Sequence, residues 1–433
     1  MTGVQTCAPF RSIAIIGLGS RGKNAYGAEL LTLKDRAVVT AVAEPDEERL
    51  KIGGDEYGVP EERRFHSAEE LLAQPKLADA TIICVQDRQH VPVAIAALRK
   101  GYDLLLEKPV SPLLSELQEI VRVAREEQRR VVVCHVLRYT DFFGLIKQTI
   151  DSGKLGEIVN IQALENVRYW HQAHSFVRGN WRRSEETSPM ILAKCCHDLD
   201  YLIWLSGSRC ERVSSFGSLR YFKPENAPKG AAKRCLDGCL SRESCPYDAE
   251  KIYLTNRETG ILGGNVEWPI DVLAEKPTEA SIREAIKTGP YGRCAFFCDN
   301  DVVDNQIVNL QMENGACLSL MMSAFTSIGG RTIKVMGTLG DLWGDMNRNI
   351  IRICEFGKEP EIIDLGKPER DFAGHGGGDR GLLLSFLDLM EGKGADSSIT
   401  TLETSVESHL AALAAEESRI NNGAPVEIAP MRG

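Results

Sequence analysis

The amino-acid sequence predicts an α/β fold, in which a doubly wound parallel sheet is followed by a C-terminal α+β domain with a largely antiparallel sheet. Short β-branched runs alternate with helical stretches as far as residue 135. Such alternation implies right-handed crossovers between parallel strands. Beyond residue 136 the runs are longer and alternate apolar with polar residues. That second pattern is typical of antiparallel strands with one face in water.

The first domain contains five predicted strands, each a short apolar run that ends at a glycine or a polar residue. They cover residues 12–16, 38–43, 80–85, 103–106 and 130–134. A glycine turn follows the first strand, and helical spacing continues from it to Leu31. Between the second and third strands, Ser67 and Glu70 have the spacing of an N-terminal capping box.

The second domain mixes strands with helices. Strands are predicted at residues 158–164, 302–312 and 316–325, and helices at 188–205, 381–390 and 402–421. We therefore expect a disordered leader (1–10), an N-terminal domain (11–135) and a substrate-binding α+β domain (136–433) with a cysteine-rich insertion at about 222–300.

The composition is that of an ordinary globular protein. The 433 residues are 43% hydrophobic and 26% charged, with a net charge of -10. Lys and Arg are scattered, so the chain offers no basic stripe for nucleic acid. No apolar run reaches the ~18 residues that span a bilayer, and the N-terminus lacks the regions of a signal peptide. We therefore expect a cytoplasmic protein that binds neither nucleic acid nor membrane.

The first motif along the chain is the sequence Gly17-Leu18-Gly19-Ser20-Arg21-Gly22. A G-x-G-x-x-G pattern alone is weak evidence, because glycines also serve ordinary turns. Here it follows a strand and opens a helix, so backbone N–H groups and the helix N-terminus can hold a pyrophosphate. The N-terminal domain is therefore predicted to be a Rossmann domain. The residues expected at its cofactor are Gly17, Gly19, Ser20, Arg21, Gly22, Glu44, Gln86, His90, Glu107 and Lys108.

Glu44 ends the second strand. It follows the glycine turn by the ~20 residues after which such domains place an acidic residue that binds the ribose. A carboxylate there accepts hydrogen bonds from the ribose diol and repels a 2'-phosphate, so NAD is favoured over NADP. Arg21, inside the loop, could reach a phosphate and weaken that preference. The alternative for Glu44 is a solvated charge at the end of a strand.

Glu107-Lys108-Pro109 ends the fourth strand, at the edge where doubly wound sheets place ligands. With the order of the other motifs, it resembles the Glu-Lys-Pro motif of the glucose-fructose oxidoreductase, inositol dehydrogenase and rhizopine-catabolism (Gfo/Idh/MocA) family, over essentially the whole chain. The resemblance implies that Lys108 lies beside the nicotinamide ribose and the substrate hydroxyl, often before a cis proline. A lysine there can stabilise a developing alkoxide. The alternative is a surface lysine in a turn.

A second motif, Lys194-Cys195-Cys196-His197, resembles the end of that family's Asp-x-Gly-x-His helix. The resemblance makes His197 the acid/base on the substrate hydroxyl. Ala193 stands where the family has the aspartate, so a simple aspartate–histidine relay is not expected, and Lys194 could supply a polar group instead. The alternative is a core histidine satisfied by Asp200 or by a carbonyl group.

Further polar and aromatic residues are candidates for the substrate cleft. Aromatic rings suit the C–H faces of polyhydroxylated ligands, and Arg and His side chains suit their hydroxyls. His375 lies in a glycine-rich loop before a helix whose predicted N-cap is Asp379. The residues expected at the substrate are His135, Arg138, Tyr169, His171, His174, Trp181, Arg182, Lys194 and His375, with Tyr139 and Arg178 as further candidates.

The insertion contains thiols with a spacing that ordinary packing does not require. Three cysteines fall within eleven positions, and a fourth would complete a closed, structural zinc site. An iron-sulfur cluster would use the same ligands, and reduced, unligated cysteines are the remaining alternative. The predicted metal ligands are Cys235, Cys239, Cys245 and Cys294, with Cys298 as an alternative to the last.

Three functions are compatible with these motifs. The first is an NAD-dependent oxidoreductase for a hydroxyl of a sugar, glycoside or polyol, with Lys108 and His197 handling the proton. The second, implied by the resemblance, is an NAD-dependent glycosidase that oxidises C3 transiently and eliminates the aglycone. The third is a cofactor-binding regulator that has lost its chemistry. The resemblance also implies a homo-oligomer.

Overall fold

The N-terminal domain is built on a six-stranded parallel sheet. The computed structural model describes residues 11–366, 375–394 and 398–432, so the predicted leader lies outside the described residues. The strand order is β3-β2-β1-β4-β5-β6, and every pairing between these strands is parallel. The strands are β1 (Arg11–Ile16), β2 (Ala37–Ala43), β3 (Arg64–Phe65), β4 (Ala80–Ile83), β5 (Asp103–Leu106) and β6 (Val131–Val133).

Helices connect these strands, as the alternating pattern predicted. After the glycine turn the chain forms a π-helical segment, Ser20–Gly27, that continues into α1. Ser67 is an N-cap as predicted, because its hydroxyl accepts a hydrogen bond from the Glu70 backbone N–H. The helices of this domain are α1 (Ala28–Thr32), α2 (Glu47–Tyr57), α3 (Ala68–Ala73), α4 (His90–Arg99) and α5 (Leu114–Glu126).

The C-terminal domain contains a nine-stranded mixed sheet in the order β14-β13-β12-β11-β7-β10-β9-β8-β15. Most pairings are antiparallel, as predicted, but β7 and β10 run parallel to each other. The predicted strands correspond to β7 (Ile158–Arg168), β9 (Asn305–Met312) and β10 (Cys317–Thr326). The others are β8 (Cys210–Ser218), β11 (Gly330–Gly337), β12 (Gly340–Asp345), β13 (Ile350–Glu355), β14 (Glu361–Asp364) and β15 (Val426–Glu427).

Seven α-helices among the described residues lie beyond residue 136. The predicted helix 188–205 is broken at Lys194 and Cys195, so that α9 begins one residue before His197. The helices are α6 (Asp141–Asp151), α7 (Tyr169–His171), α8 (Met190–Ala193), α9 (Cys196–Ser206), α10 (Glu279–Thr288), α11 (Gly378–Met390) and α12 (Leu402–Ile420).

Helix α11 returns to the N-terminal domain and packs on its sheet. Its buried apolar residues share one core cluster with residues of β1, β2, β5 and β6. Phe386 is fully buried in that cluster. A segment more than 240 residues beyond β6 in sequence therefore supplies part of the Rossmann core, which the local pattern did not indicate.

The outward face of the nine-stranded sheet carries exposed apolar side chains. Phe216, Ile307 and Met321 lie in register on β8, β9 and β10 and are 60%, 46% and 43% exposed. The homo-oligomer that the resemblance implies stays a prediction. Among the helices described, none is both long and apolar enough to cross a membrane.

Replacing Phe386 by alanine should destabilise the N-terminal domain, because it removes a large side chain from the core between α11 and the sheet. The loss expected for a buried phenylalanine is about 3–5 kcal/mol, measured by urea unfolding. Ile362→Ala, at a side chain 69% exposed on the edge strand β14, is the control and should change stability by less than about 0.5 kcal/mol. Equal losses in both variants would contradict this packing.

Candidate active site

The glycine turn after β1 leaves space for a phosphate at its middle glycine. Gly17 has φ +92°, and a Cβ on it would lie 2.4 Å from the Cys84 carbonyl oxygen. A Cβ on Gly22 would lie 1.9 Å from the Gly17 carbonyl oxygen. In contrast, a Cβ on Gly19 would meet no atom within 4 Å. The outer glycines are thus required by close packing, and the middle one faces open space where a pyrophosphate can approach the backbone.

Glu44 lies at the C-terminal end of β2, at the predicted ribose end of the site. Its carboxylate accepts hydrogen bonds from the backbone N–H groups of Leu18, at 2.7 Å, and Asp46, at 3.2 Å. These bonds fix the carboxylate beside the glycine turn, and a carboxylate has capacity for further donors. The residues present therefore fit a dinucleotide whose ribose carries free hydroxyls.

Arg21 is held by carboxylates inside the protein. Its guanidinium donates to Glu107 at 2.7 Å and to the Tyr26 hydroxyl at 2.6 Å, and it also pairs with Asp379. Burial opposes ionisation of the two carboxyl groups, but Arg21 outweighs it and lowers the pKa of both Glu107 and Asp379. The guanidinium of Arg21 therefore binds these partners and does not extend toward the phosphate position.

The helix that follows the glycine-rich loop is capped differently from the prediction. Its N-cap is Gly377, and no side chain caps it. The prediction that Asp379 is the N-cap is wrong, because Asp379 lies inside the first turn and pairs with Arg21 and with His375, at 2.9 Å.

Lys108 lies at the C-terminal end of β5, and its bond to Pro109 is cis, as the resemblance implied. Its ammonium donates to the Ala193 carbonyl at 2.9 Å, which places the lysine against the end of α8. His90 is fully buried and lies within hydrogen-bond distance of the carbonyls of Val85 and Pro109. His90 therefore supports the backbone beneath Lys108, and Gln86 is exposed beyond β4.

His197 lies close to Lys108 from the opposite domain. Burial, followed by the charges of Lys108 and of two further histidines, lowers the pKa of His197 well below its usual value. The imidazole is therefore neutral near pH 7 and can accept a proton. The ring of His375, on the loop before α11, lies 6.2 Å from that of His197.

Two other predicted substrate residues lie near this pair. Lys194, at the break before α9, pairs with Glu165 at 3.4 Å. Burial, and then the charge of Lys194, lowers the pKa of His171 well below its usual value. Arg331 lies behind them and donates to Asp198 at 2.7 and 3.1 Å. Lys108, His197, His375, Lys194 and His171 thus form one group at the domain junction.

The remaining predicted substrate residues lie elsewhere. His135 and Arg138 are buried behind His197, where Arg138 is paired with Asp200. His174 is buried against Tyr253 and Tyr291, and its pKa is lowered to about 3 by burial. The others have structural partners: Tyr169 with Tyr247, Tyr139 with Thr400, Trp181 with Asp87, Arg182 with Asp299, and Arg178 with carbonyls of the insertion.

Two residues near the site could not be recognised as functional from the sequence. Trp268, in the insertion, is 37% exposed and lies edge-on to His171, with ring centroids 4.7 Å apart. Asp379 completes the charge balance of Arg21 although the two are 358 positions apart. Tyr26 had a weak signal, because it follows Arg21 by five residues in a helical stretch, on a buried face.

The predicted metal site is not supported. Within residues 11–366, 375–394 and 398–432, no group of three or more Cys, His, Asp or Glu side chains could hold a metal. The four cysteines line one small cavity with Arg178, and the Cys235 sulfur accepts a hydrogen bond from the Ala249 backbone N–H. The insertion also has a buried apolar cluster, which includes Phe222, Tyr247, Tyr253, Ile282 and Phe296.

Two family models match the chain and together cover most of it. Residues 11–135 match "Oxidoreductase family, NAD-binding Rossmann fold", and residues 147–428 match "Oxidoreductase family, C-terminal alpha/beta domain". The boundary between the two matches falls where the parallel sheet ends.

Individual relatives are distant but extend over long segments. The Bacillus subtilis protein YteT, described as an oxidoreductase, is 24% identical over 88% of this chain and 89% of its own. Inositol 2-dehydrogenase of Corynebacterium glutamicum is 25% identical over 46% of this chain and 56% of its own.

Solved structures of low sequence identity share the fold. An Agrobacterium radiobacter oxidoreductase, in complex with NAD+, L-tartaric acid and magnesium, has a TM-score of 0.69 at 17% identity and covers 98% of this chain and all of its own. The WlbA dehydrogenase of Bordetella pertussis, in complex with NADH and UDP-GlcNAcA, has a TM-score of 0.66 at 16% identity and covers 97% of this chain and 99% of its own.

Replacing Arg21 by glutamine should destabilise the protein in a pH-dependent way. At pH 7 it leaves Glu107 and Asp379 buried without their cation, which costs about 3 kcal/mol. Because both folded-state pKa values are depressed, the stability that they contribute is complete above their unfolded pKa of about 4 and is lost as the pH falls. The difference in unfolding free energy between parent and variant should therefore shrink below about pH 4.

The control for this measurement is Lys51→Gln. Lys51 and its partner Asp55 are 75% and 53% exposed, so removing this pair should change the unfolding free energy little at any pH. A loss in Arg21→Gln that is independent of pH would contradict the charge balance described for Arg21.

Proposed function

The chain belongs to the Gfo/Idh/MocA family of NAD-dependent oxidoreductases, and from that premise we propose that it interconverts a hydroxyl and a carbonyl group of a sugar, glycoside or polyol. The observation that carries the proposal is the approach of Lys108, at the end of β5, to His197, at the start of α9. Relatives named for inositol oxidation, and a similar fold in complex with a nucleotide sugar, support a polyhydroxylated substrate.

The cofactor proposed is NAD, which would supply the hydride acceptor when bound. The turn with Gly17, Gly19 and Gly22 would hold its pyrophosphate, and Glu44 its adenosine ribose. Arg21 is neutralised by two carboxylates, and Arg49, near Glu44, is paired with Glu275. No unpaired cation among these residues would favour the 2'-phosphate of NADP.

Lys108 and His197 are proposed to handle the proton of the substrate hydroxyl. The Lys108 ammonium can stabilise an alkoxide by donating to it, since its Ala193 contact uses only one of three N–H bonds. His197, neutral because its pKa is depressed, can accept the proton during oxidation and return it during reduction. His171, Lys194 and His375 would then orient the remaining hydroxyls.

Replacing Lys108 or His197 by alanine should lower turnover on the order of 10²-fold while NAD binding survives. The parent enzyme and both variants would be assayed with a panel of sugars, polyols and glycosides, following NADH absorbance and sugar products together. Lys34→Ala, at an exposed lysine outside the site, is the control. Near-normal turnover in both variants would remove these residues from the mechanism, and NAD binding without turnover of any substrate would favour the regulator.

A second candidate function is favoured by a segment of the insertion that crosses the cofactor site. This cofactor strap, residues 267–276, touches the substrate side through Trp268 and His171. Its Asp271 accepts from Asn24 at 3.1 Å, and its Glu275 pairs with Lys23, at 3.1 Å, and with Arg49. The strap therefore runs from the substrate residues to both sides of the nucleotide-binding turn.

The position of the strap supports slow exchange of the cofactor. Lys23 and Glu275 are only 14% and 17% exposed, and a dinucleotide leaving the turn would have to displace the strap. Slow exchange suits a reaction that restores its cofactor in each cycle, such as glycoside cleavage through transient oxidation at C3. It would limit a dehydrogenase that must release NADH after every turnover.

The double variant Asp271→Asn, Glu275→Gln should release bound NADH at least about 10-fold faster than the parent, because it removes charge-assisted contacts of the strap. Stopped-flow displacement of NADH measures the rate. Lys276→Ala, at a strap lysine 78% exposed, should leave it unchanged. Equal rates in all three proteins would show that the strap does not retain the cofactor, and aglycone release without net NADH would identify the glycosidase.

A further inference from the structure

His135 follows β6 directly and is buried with both ring nitrogens unbonded. The residue has no exposed surface, and neither nitrogen has a hydrogen-bond partner within the part of the chain that the structure describes. Buried polar side chains are almost always bonded. A buried imidazole without hydrogen bonds at the edge of the candidate active site is therefore expected to have a function.

Three groups surround the imidazole of His135. Its ring lies 5.7 Å from that of His197 at an interplanar angle of 83°, and 5.6 Å from that of His409. Its Nε2 lies 3.9 Å from an oxygen of Asp200. His135 thus lies between the active-site histidine and a buried carboxylate.

His409 cannot be the partner in a proton relay. One of its ring nitrogens accepts from the Val110 backbone N–H at 2.8 Å, and the other faces the Ser405 carbonyl at 2.8 Å. These backbone bonds occupy both nitrogens and fix one tautomer. The two groups with which His135 can interact are therefore His197 and Asp200.

Asp200 is rigidly held. Arg138, three residues after His135, donates two hydrogen bonds to its carboxylate at 2.6 and 2.7 Å. Asp200 also lies three residues after His197 on α9, so the helix fixes the separation of the carboxylate from the catalytic imidazole. Burial raises the pKa of Asp200, and Arg138 opposes that effect.

His197 lacks a carboxylate of its own. Its Nδ1 is buried without a hydrogen-bond partner among the described residues. The groups that act on its charge are His135, Lys108, His375 and Arg331, and each of them lowers its pKa. A proton accepted by His197 therefore needs stabilisation from the direction of His135.

We propose that His135 is a positioning residue that couples the Nδ1 side of His197 to the Asp200–Arg138 pair. When His197 accepts the substrate proton at its other nitrogen, its Nδ1–H is turned toward the neutral ring of His135, whose opposite nitrogen faces Asp200. No proton leaves the pair, Asp200 stays ionised, and the positive charge on His197 is balanced through His135. This inference rests on the proposed role of His197.

The test compares pH profiles of kcat for the parent enzyme, His135→Gln and Asp200→Asn. Loss of the coupling makes protonated His197 less stable, so the acid limb should move to lower pH by about one unit in both variants. The weaker base should also lower kcat on the order of 10-fold with little change in KM. Because the two residues act in one chain, the double variant should be no worse than the poorer single variant.

The titratable and charged groups that face His135 are His197, Asp200, Arg138, His409, Lys108 and Glu107. His409→Gln is the matched control: it touches the same ring, and we expect lower stability with an unchanged pH profile. Thermal unfolding would show whether Asp200→Asn folds poorly. In that case Asp200→Glu is the second variant: it keeps a carboxylate for Arg138, so its acid limb should lie where that of the parent enzyme does.

An unchanged acid limb in His135→Gln, or an equal shift in His409→Gln, would overturn the inference while leaving the proposed oxidoreductase intact. Absence of turnover in the parent enzyme would instead contradict the proposed function itself.

Discussion

The partly buried guanidinium of Arg21 is the charge on which the assembly of the candidate active site depends. It lies in the nucleotide-binding turn after β1, yet its partners are Glu107, beside Lys108, and Asp379, on α11. Arg21 is the charge that lowers the pKa of each carboxylate most. One ionic cluster therefore fixes the spacing between the glycine turn, Lys108 and the loop that carries His375. The same cluster anchors α11, whose apolar face completes the core of the parallel sheet.

The parts of this site that the sequence predicted are those that lie in one stretch of chain. The glycine turn, Glu107-Lys108-Pro109 and His197 were recognisable because each motif contains its own strand or helix terminus. The partners of those motifs could not be predicted, since Arg21 and Asp379, or His135 and Asp200, meet only in the folded chain. Arg138 and His174 were predicted because their residue types suit a sugar, whereas the structure places both among buried structural partners.

The insertion shows why local composition misled the prediction of a metal. Its apolar residues are spread between Phe222 and Phe296, so no short run is strongly hydrophobic, and the cysteines stand out by contrast. In the fold those scattered side chains converge into one cluster, which stabilises the insertion. The role of the charged residues in the cofactor strap could not be predicted either, because Asp271 and Glu275 meet their partners, Asn24 and Lys23, only in the folded chain.

Charge around the reacting centre is arranged in two layers. The front layer, nearest the proposed substrate position, consists of Lys108, Lys194 and the imidazoles of His171 and His197. Carboxylates lie behind them, with Glu165 on Lys194 and Asp198 on Arg331. Burial, and then the charges of the front layer, depresses the pKa of the two imidazoles and keeps them neutral, while the rear layer limits the cost of burying the cations. A base that accepts a proton beside a lysine is stabilised in its protonated form by the carboxylates of the rear layer. At His197, the nearest connection to such a carboxylate runs through His135.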